Sequence, residues 1–169
     1  MDRKQLYYVL FEQQKDFEQI ENLIDREKTV EILKLKTLKM PIIITGVRRC
    51  GKSSLLKLIK NKLELDKKKY LYVNFNDERL TNFSVDDFQK IIDFFDENEY
   101  KSPILFLDEI QELPHWEKIL KNWYDLGYSL KFIISGSSSI WINKGTEESL
   151  LGRIKTSVMM PLKFSEILR

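Results

Sequence analysis

The sequence contains few of the residues that support disulfide, metal-cluster or membrane chemistry. Cys50 and His115 are the only residues of their types, which excludes an intrachain disulfide and a cluster of cysteine or histidine metal ligands. No apolar run approaches the roughly 18 residues that a membrane-spanning helix needs. The first residues are charged and amphipathic, unlike a secretory signal. We therefore expect a cytoplasmic protein with no membrane partner.

Charge gives little information about partners. The 28 basic and 26 acidic residues leave a net charge of +2, which is too balanced to indicate binding to nucleic acid or to an anionic membrane. The hydrophobic and charged fractions, 43% and 32%, are typical of a soluble globular protein, and 169 residues suit one domain. Helical spacing of apolar residues before residue 40 predicts a helical N-terminal segment at 1–40, followed by a core at 41–169.

Short apolar runs alternate with amphipathic segments in this core. The pattern predicts strands at 42–45, 70–75, 104–108, 131–135 and 155–160, and helices at 52–65, 85–95 and 116–125. Buried strands separated by helices form a mainly parallel sheet with helices on both faces. The fold class is therefore α/β, with ligands expected at the carboxyl ends of the strands.

A phosphate-binding motif lies between the first of these strands and the first of these helices. The residues from Gly46 to Ser53 read GVRRCGKS and match G-x-x-x-x-G-K-[ST] in the context that this motif requires. Its glycines allow backbone N–H groups to approach phosphates, and the helix N-terminus adds partial positive charge. Lys52 is predicted to reach the β- and γ-phosphates, and Ser53 to ligate Mg²⁺. The predicted nucleotide-binding residues here are Gly46, Val47, Arg48, Arg49, Cys50, Gly51, Lys52, Ser53 and Ser54.

Two carboxylates follow the predicted strand at 104–108. Asp108 and Glu109 should lie at the sheet edge that faces the nucleotide. Asp108 is predicted to hold Mg²⁺, usually through water, and Glu109 to orient and deprotonate the attacking water.

Hydroxyl residues end the strand predicted at 131–135. Ser137 is the first choice for a group that contacts the γ-phosphate or the attacking water, and Ser135 is the second. The alternative is that these serines only turn the chain or cap a helix.

Several phrases together resemble the AAA+ branch of P-loop ATPases, and more narrowly the prokaryotic, largely archaeal ATPases related to the STAND and Orc-like groups. They are IDRE from Ile24, TGVRRCGKSSLL from Thr45, YVNFND from Tyr72, FLDEIQELPHWEKIL from Phe106, FIISGSSS from Phe132, LLGR from Leu150 and MPLKFSEIL from Met160.

This resemblance implies a three-layer P-loop NTPase sandwich whose five parallel strands have the spatial order 2-3-4-1-5. It implies that Asp25 and Arg26 lie on the adenine side of the pocket. It also implies that Arg153 is an arginine finger for a neighbouring subunit of a homo-oligomer; a local ion pair is the alternative for Arg153. Such ATPases usually continue into a helical lid or winged-helix domain, so we expect this chain to be truncated before that part.

The leading functional hypothesis is a Mg²⁺-dependent ATPase that acts as a switch or motor on a macromolecular partner, either nucleic acid or protein. A P-loop kinase or a GTPase is a weaker alternative: a kinase does not need the paired Asp-Glu in place of an acceptor-binding lid, and the Asn-Lys-x-Asp guanine signature of a GTPase is not present. A third reading is a nucleotide-gated binding module with little turnover.

Overall fold

Five parallel strands form one sheet in the spatial order β2-β3-β4-β1-β5. The computed structural model describes residues 1–19, 23–35, 40–125, 130–138 and 150–168, and only the backbone of Tyr124. The strands are β1 (Ile42–Gly46), β2 (Tyr70–Asn74), β3 (Ile104–Asp108), β4 (Lys131–Ser137) and β5 (Lys155–Met159). All strand pairs are parallel, which confirms the predicted order and sheet type.

Helices cover both faces of this sheet. They are α1 (Arg3–Glu18), α2 (Glu27–Lys34), α3 (Lys52–Lys62), α4 (Phe88–Glu97), α5 (Trp116–Asp125) and the short α6 (Phe164–Ile167). The apolar faces of α4 and α5 join the core on one side of the sheet, and α2 and α3 join the core on the other side. The fold is therefore the three-layer sandwich that the sequence predicted.

The strands alternate their side chains between these two cores. Ile43 of β1 faces the core under α4 and α5, whereas Ile42 and Ile44 face the core under α3. Each of the three is fully buried, as expected for a strand in a parallel sheet that is covered on both faces.

Element boundaries differ from the predicted ones by a few residues. Helix α3 ends at Lys62 instead of residue 65, and Glu64 adopts a left-handed conformation with φ of 50° that ends the helical path. The helix predicted at 85–95 begins with a 3₁₀ turn at Val85–Asp87 and continues as α4 to Glu97. Strand β4 continues two residues beyond 135, which places Ser137 at its end.

Helix α1 packs against the edge strand β2. Leu6, Val9 and Leu10 join one core and Phe17 joins the other, so this helix wraps around the edge of the sheet. The Gln13 amide accepts from the Asn74 N–H at 2.9 Å and donates to the Asn74 carbonyl at 3.1 Å. The Gln14 side-chain oxygen Oε1 accepts from the Tyr72 backbone N–H at 3.1 Å. The two glutamine side chains therefore occupy the hydrogen-bonding positions that a further strand would take. The domain boundary at residue 40 stays a prediction.

In the described part of the chain, no helix has both the length and the apolar character needed to cross a bilayer.

Candidate functional site

The loop between β1 and α3 needs its two glycines for different reasons. A Cβ atom at Gly46 would lie 2.4 Å from the Met159 carbonyl oxygen, so the neighbouring strand leaves no room for a side chain. Gly51 precedes α3 with φ of 95°, a backbone conformation that side chains disfavour. The predicted tight turn thus combines one close approach with two left-handed residues, Gly51 and Arg49, the latter with φ of 64°.

Lys52 opens α3 with a nearly buried side chain that is 4% exposed. Its Nζ lies 3.3 Å from the Gly46 carbonyl oxygen and 3.2 Å from that of Val47. An ammonium group buried in this way requires compensation, and the described partners are neutral carbonyls of its own loop. The site is therefore suited to an anionic ligand that supplies negative charge.

A cavity of about 670 Å³ lies over this loop and the carboxyl ends of the strands. Its lining residues are Arg48, Arg49, Gly51, Lys52, Ser53, Ser54, Asn74, Asn76, Glu109, Gln111, Glu112 and Ser137. The size is in the usual range for small-molecule sites, which is roughly 300–1,000 Å³. We call the part formed by residues 46–54 the phosphate-loop side, and the part formed by the ends of β2, β3 and β4 with residues 109–112 the carboxylate side. Lys52, Ser53, Glu109 and Ser137 therefore line one cavity, whereas Asp108 is buried at the end of β3 and does not line it.

Asp108 ends β3 with only 1% of its surface exposed. Its Oδ2 accepts a hydrogen bond from the Tyr72 hydroxyl at 2.7 Å, and its Oδ1 accepts one from the Ser135 hydroxyl. Burial, reinforced by the Asp108 charge, raises the pKa of the Tyr72 hydroxyl well above its usual range, so this hydroxyl remains a donor. Neutral donors from the two neighbouring strands thus fix the orientation of the Asp108 carboxylate.

Glu109 is a half-buried residue that lines the cavity in an unusual backbone conformation. Its φ of 52° and ψ of 48° place it in the left-handed region, which is uncommon for a residue other than glycine. Its N–H lies 3.2 Å from Asp108 Oδ1 and 3.3 Å from Ser135 Oγ, and these contacts hold the turn.

Gln111 is a site residue that sequence reasoning missed. Its side-chain nitrogen donates to Glu109 Oε2 at 2.6 Å, and its side-chain oxygen accepts from the Ser137 N–H at 3.0 Å. Gln111 thereby links the predicted base to the end of β4. The only signal in the sequence was a polar residue two positions after the acidic pair.

The structure separates the two candidate serines. Ser137 lines the cavity, whereas Ser135 is fully buried and bonds to Asp108. The position of Ser137 is compatible with a ligand contact, and its role in catalysis stays a prediction. Ser138 is exposed, and Ser139 lies outside the described residues.

Arg26, which lies before the phosphate loop in the chain, contacts the backbone of that loop. Its Nη1 donates to the Cys50 carbonyl at 3.0 Å, its Nη2 to the Met160 carbonyl at 2.6 Å, and its Nε to Glu166 Oε1 at 3.2 Å. Backbone N–H groups and Arg26 lower the pKa of the buried Glu166 carboxyl, so this ion pair stays charged. Asp25 is exposed and pairs with Lys62. Nucleotide contacts by Asp25 and Arg26 stay predictions.

Arg153 lies outside the lining of this cavity and is partly exposed. Its Nε donates to Asp125 Oδ1 at 3.0 Å, which is the kind of local ion pair that the sequence left open as an alternative to an arginine finger.

The remaining residues of the phosphate loop differ in exposure. The Cys50 side chain is buried, whereas Val47, Arg48 and Arg49 are exposed.

Comparisons with known proteins show the family and the fold of the chain. The family model described as "AAA domain" matches residues 38–168. An uncharacterised protein of Methanocaldococcus jannaschii is 36% identical over 127 residues, which cover 75% of this chain and 28% of that protein. The chain spans between 27% and 38% of the length of the curated relatives that it matches.

Solved structures share the fold at low sequence identity. The Orc1 protein of Aeropyrum pernix, solved in complex with DNA, has a TM-score of 0.62 at 15% identity, and the match covers 88% of this chain and 48% of that one. A DNA polymerase III gamma subunit-related protein of Thermotoga maritima has a TM-score of 0.58 at 14% identity, covering 82% of this chain and 47% of that one.

The fold and the cavity define an AAA+ P-loop ATPase core. The chain belongs to the AAA domain family.

Proposed function

We propose that this chain binds ATP with Mg²⁺ and hydrolyses it, and that it serves as the ATPase core of a switch or motor. The observation that carries the proposal is the single cavity lined by Lys52 and Ser53 on one side and by Glu109 and Ser137 on the other. Phosphoryl transfer requires positioning and charge compensation more than covalent chemistry. This cavity offers both.

The residues present fit a nucleoside triphosphate with Mg²⁺. The buried Lys52 ammonium, in contact only with neutral carbonyls among its described hydrogen bonds, would gain from phosphate charge. Ser53 would hold the metal directly, and Asp108 would hold it through water. When bound, Mg²⁺ would neutralise charge that develops on the phosphates. The exposed Arg48 and Arg49 add positive charge to the rim of the same cavity.

The base of the nucleotide is proposed to lie on the Arg26 side of the loop. A second cavity of about 210 Å³ is lined there by Arg26, Glu27, Met159, Met160 and Glu166, among others. Arg26 contacts the loop backbone at Cys50, so this cavity is next to the phosphate-loop side. Met160, which is exposed, supplies an apolar side chain for contact with a planar ring.

Glu109 is the proposed general base. It lines the cavity beside Ser137, and Gln111 fixes one of its oxygens, which leaves the other oxygen able to accept from water. Ser137 would contact the γ-phosphate or the attacking water.

Replacement of Glu109 tests the hydrolytic assignment. We expect Glu109→Gln to bind ATP with near wild-type affinity and to release phosphate at least ~100-fold more slowly, because general-base catalysis contributes about 10²–10⁴-fold. Phosphate release and equilibrium ATP binding are measured together. Glu112→Gln is the matched control, since Glu112 lines the same cavity and is given no catalytic role. Wild-type turnover by Glu109→Gln would refute the assignment.

Arg153 is proposed to act in a neighbouring subunit, which requires that it leave Asp125. Mass in solution with and without ATP and Mg²⁺ tests this, using Arg153→Ala and Asp125→Ala. We expect Arg153→Ala to abolish nucleotide-dependent assembly and Asp125→Ala to retain it, because the latter breaks the ion pair without removing the cation. Equal behaviour of the two variants would identify Arg153 as a local structural residue.

A nucleotide-gated binding module with little turnover is the second candidate. In this candidate the bond from Gln111 to Glu109 Oε2 restrains the carboxylate instead of positioning it, so Gln111→Ala would raise turnover. Negligible phosphate release by the wild-type protein, together with binding of a nucleic-acid or protein partner that depends on ATP occupancy alone, would support this candidate over the motor.

A further inference from the structure

The hydroxyl of Tyr72 reaches the predicted metal carboxylate from inside the protein. Tyr72 belongs to β2, the edge strand, and its ring is 9% exposed. Its hydroxyl donates to Asp108 Oδ2 at 2.7 Å, while Ser135 from the opposite neighbour of β3 donates to Oδ1. Asp108 Oδ1 also lies 3.2 Å from the Glu109 N–H, so Oδ2, whose one described donor is Tyr72, is the oxygen that keeps a lone-pair direction for a metal-bound water.

Helix α1 fixes the position of this tyrosine in two ways. The Phe17 ring stacks on the Tyr72 ring with a centroid separation of 4.0 Å and an interplanar angle of 9°. The Gln14 side chain accepts from the Tyr72 backbone N–H at 3.1 Å. A continuous set of contacts thus runs from α1 through Tyr72 to Asp108. Helix α1 lies before residue 38, where the match to the AAA domain begins.

We propose that Tyr72 is a positioning residue for the metal carboxylate Asp108, and that α1 acts through Tyr72 as a structural part of the nucleotide site. The inference rests on the proposed function, in which Asp108 helps to hold Mg²⁺. Groups that hydrogen-bond to metal-binding carboxylates orient them, and their loss typically weakens metal affinity or activity about 10–100-fold.

Tyr70 provides a matched control on the same strand. It is two residues before Tyr72 and therefore on the same face of β2, it is buried, and its ring also contacts Phe17, at 6.0 Å. Its described hydroxyl contact is with Glu18 Oε1, at 3.5 Å. Tyr70→Phe and Tyr72→Phe remove the same atom from two tyrosines on the same face of β2, and of the two only Tyr72→Phe removes a described donor to Asp108.

The test measures Mn²⁺ affinity for the protein–ADP complex by electron paramagnetic resonance, and ADP affinity in EDTA by calorimetry. For Tyr72→Phe we expect Mn²⁺ binding about 10-fold weaker than wild type, with metal-free ADP affinity within about twofold. Tyr70→Phe should match wild type in both measurements. Phe17→Leu, which removes the ring stack, should weaken Mn²⁺ binding by a smaller factor.

Other outcomes overturn the inference in recognisable ways. Unchanged Mn²⁺ affinity in Tyr72→Phe, or equal losses in the Tyr70 and Tyr72 variants, would mean that the hydroxyl is a core group without effect on the metal. Thermal unfolding with ADP absent verifies that each variant is folded, and Ser135→Ala repeats the test from the other oxygen if Tyr72→Phe does not fold. Absence of ADP binding by the wild-type protein would instead defeat the proposed function.

Discussion

The two sides of the cavity are constructed differently. The phosphate-loop side is one continuous stretch of chain. Its shape is set by backbone geometry at the glycines and by the N-terminus of α3. The carboxylate side is assembled from the ends of separate strands, and side-chain hydrogen bonds between distant residues hold it together. One side is encoded locally and the other by tertiary contacts.

The two sides should therefore respond differently to substitution. A substitution on the phosphate-loop side should remove a direct ligand contact, so that binding is lost. A substitution among the supports of the carboxylate side should change the orientation of a group that still exists, so that binding persists and turnover or metal affinity declines.

The largest effect is expected at Lys52. Lys52→Ala should weaken ATP binding about 100-fold, because hydrogen bonds to charged groups contribute roughly 1.5–3 kcal/mol and the buried ammonium is proposed to contact the phosphates. Equilibrium titration with a fluorescent ATP analogue measures the loss. Lys57→Ala is the control, since Lys57 is on the same helix and does not line this cavity. If Lys52→Ala bound ATP with near wild-type affinity, the phosphate-loop side would not be the side that determines nucleotide binding.

A smaller and more selective effect is expected at Gln111. Gln111→Ala should lower turnover about 10-fold with ATP affinity within twofold, because it frees Glu109 and the Ser137 backbone while leaving the phosphate loop intact. Phosphate release at saturating ATP gives kcat, and its dependence on ATP gives KM. Gln89→Ala is the control, because Gln89 makes a comparable bond to Asp93 on the exposed face of α4. A rise in KM that matches the fall in kcat would contradict a positioning role.

The smallest effect is a change in the free energy of unfolding at Asp77, which follows β2 and accepts a hydrogen bond from Gln13 of α1. Hydrogen bonds from Arg79 and Gln13 outweigh partial burial and lower the pKa of Asp77 to about 2. A carboxyl whose pKa is lower in the folded protein than in the unfolded chain stabilises the fold above the unfolded pKa of about 3.9, and this contribution is lost as pH falls towards 2.

Asp77→Asn should therefore reduce the free energy of unfolding by about 1–2 kcal/mol at pH 7 and by about half of that near pH 3. Urea unfolding at both pH values measures the difference, with Asp93→Asn as the exposed control. Equal losses at the two pH values would show that charge at Asp77 does not contribute to stability.

Local patterns accounted for most of what could be predicted. The motif at 46–53 depends on near neighbours in sequence, and the strands were recognised by β-branched and apolar runs such as Ile42–Ile44, so the sheet was predicted in type. The strand order followed from the resemblance and was confirmed.

The supports of the site could not be predicted because their partners are far apart in the chain. Tyr72 and Asp108 are separated by 36 positions, and Arg26 and Glu166 by 140. Only the parallel register, which pairs Asn74 with Asp108, brings Tyr72 close to the end of β3. Arg26 was predicted on the nucleotide side from resemblance, and the structure adds that its guanidinium nitrogens bond to protein groups.

The glutamines of α1 also have a consequence for self-association. An uncovered edge strand exposes unpaired backbone N–H and C=O groups, which can pair with strands of other molecules and promote aggregation. Gln13 and Gln14 occupy those groups at Tyr72 and Asn74, so they act as a built-in block to intermolecular strand pairing. Cleavage or release of α1 would therefore expose the backbone groups of β2 and remove the contacts that hold Tyr72 beside Asp108.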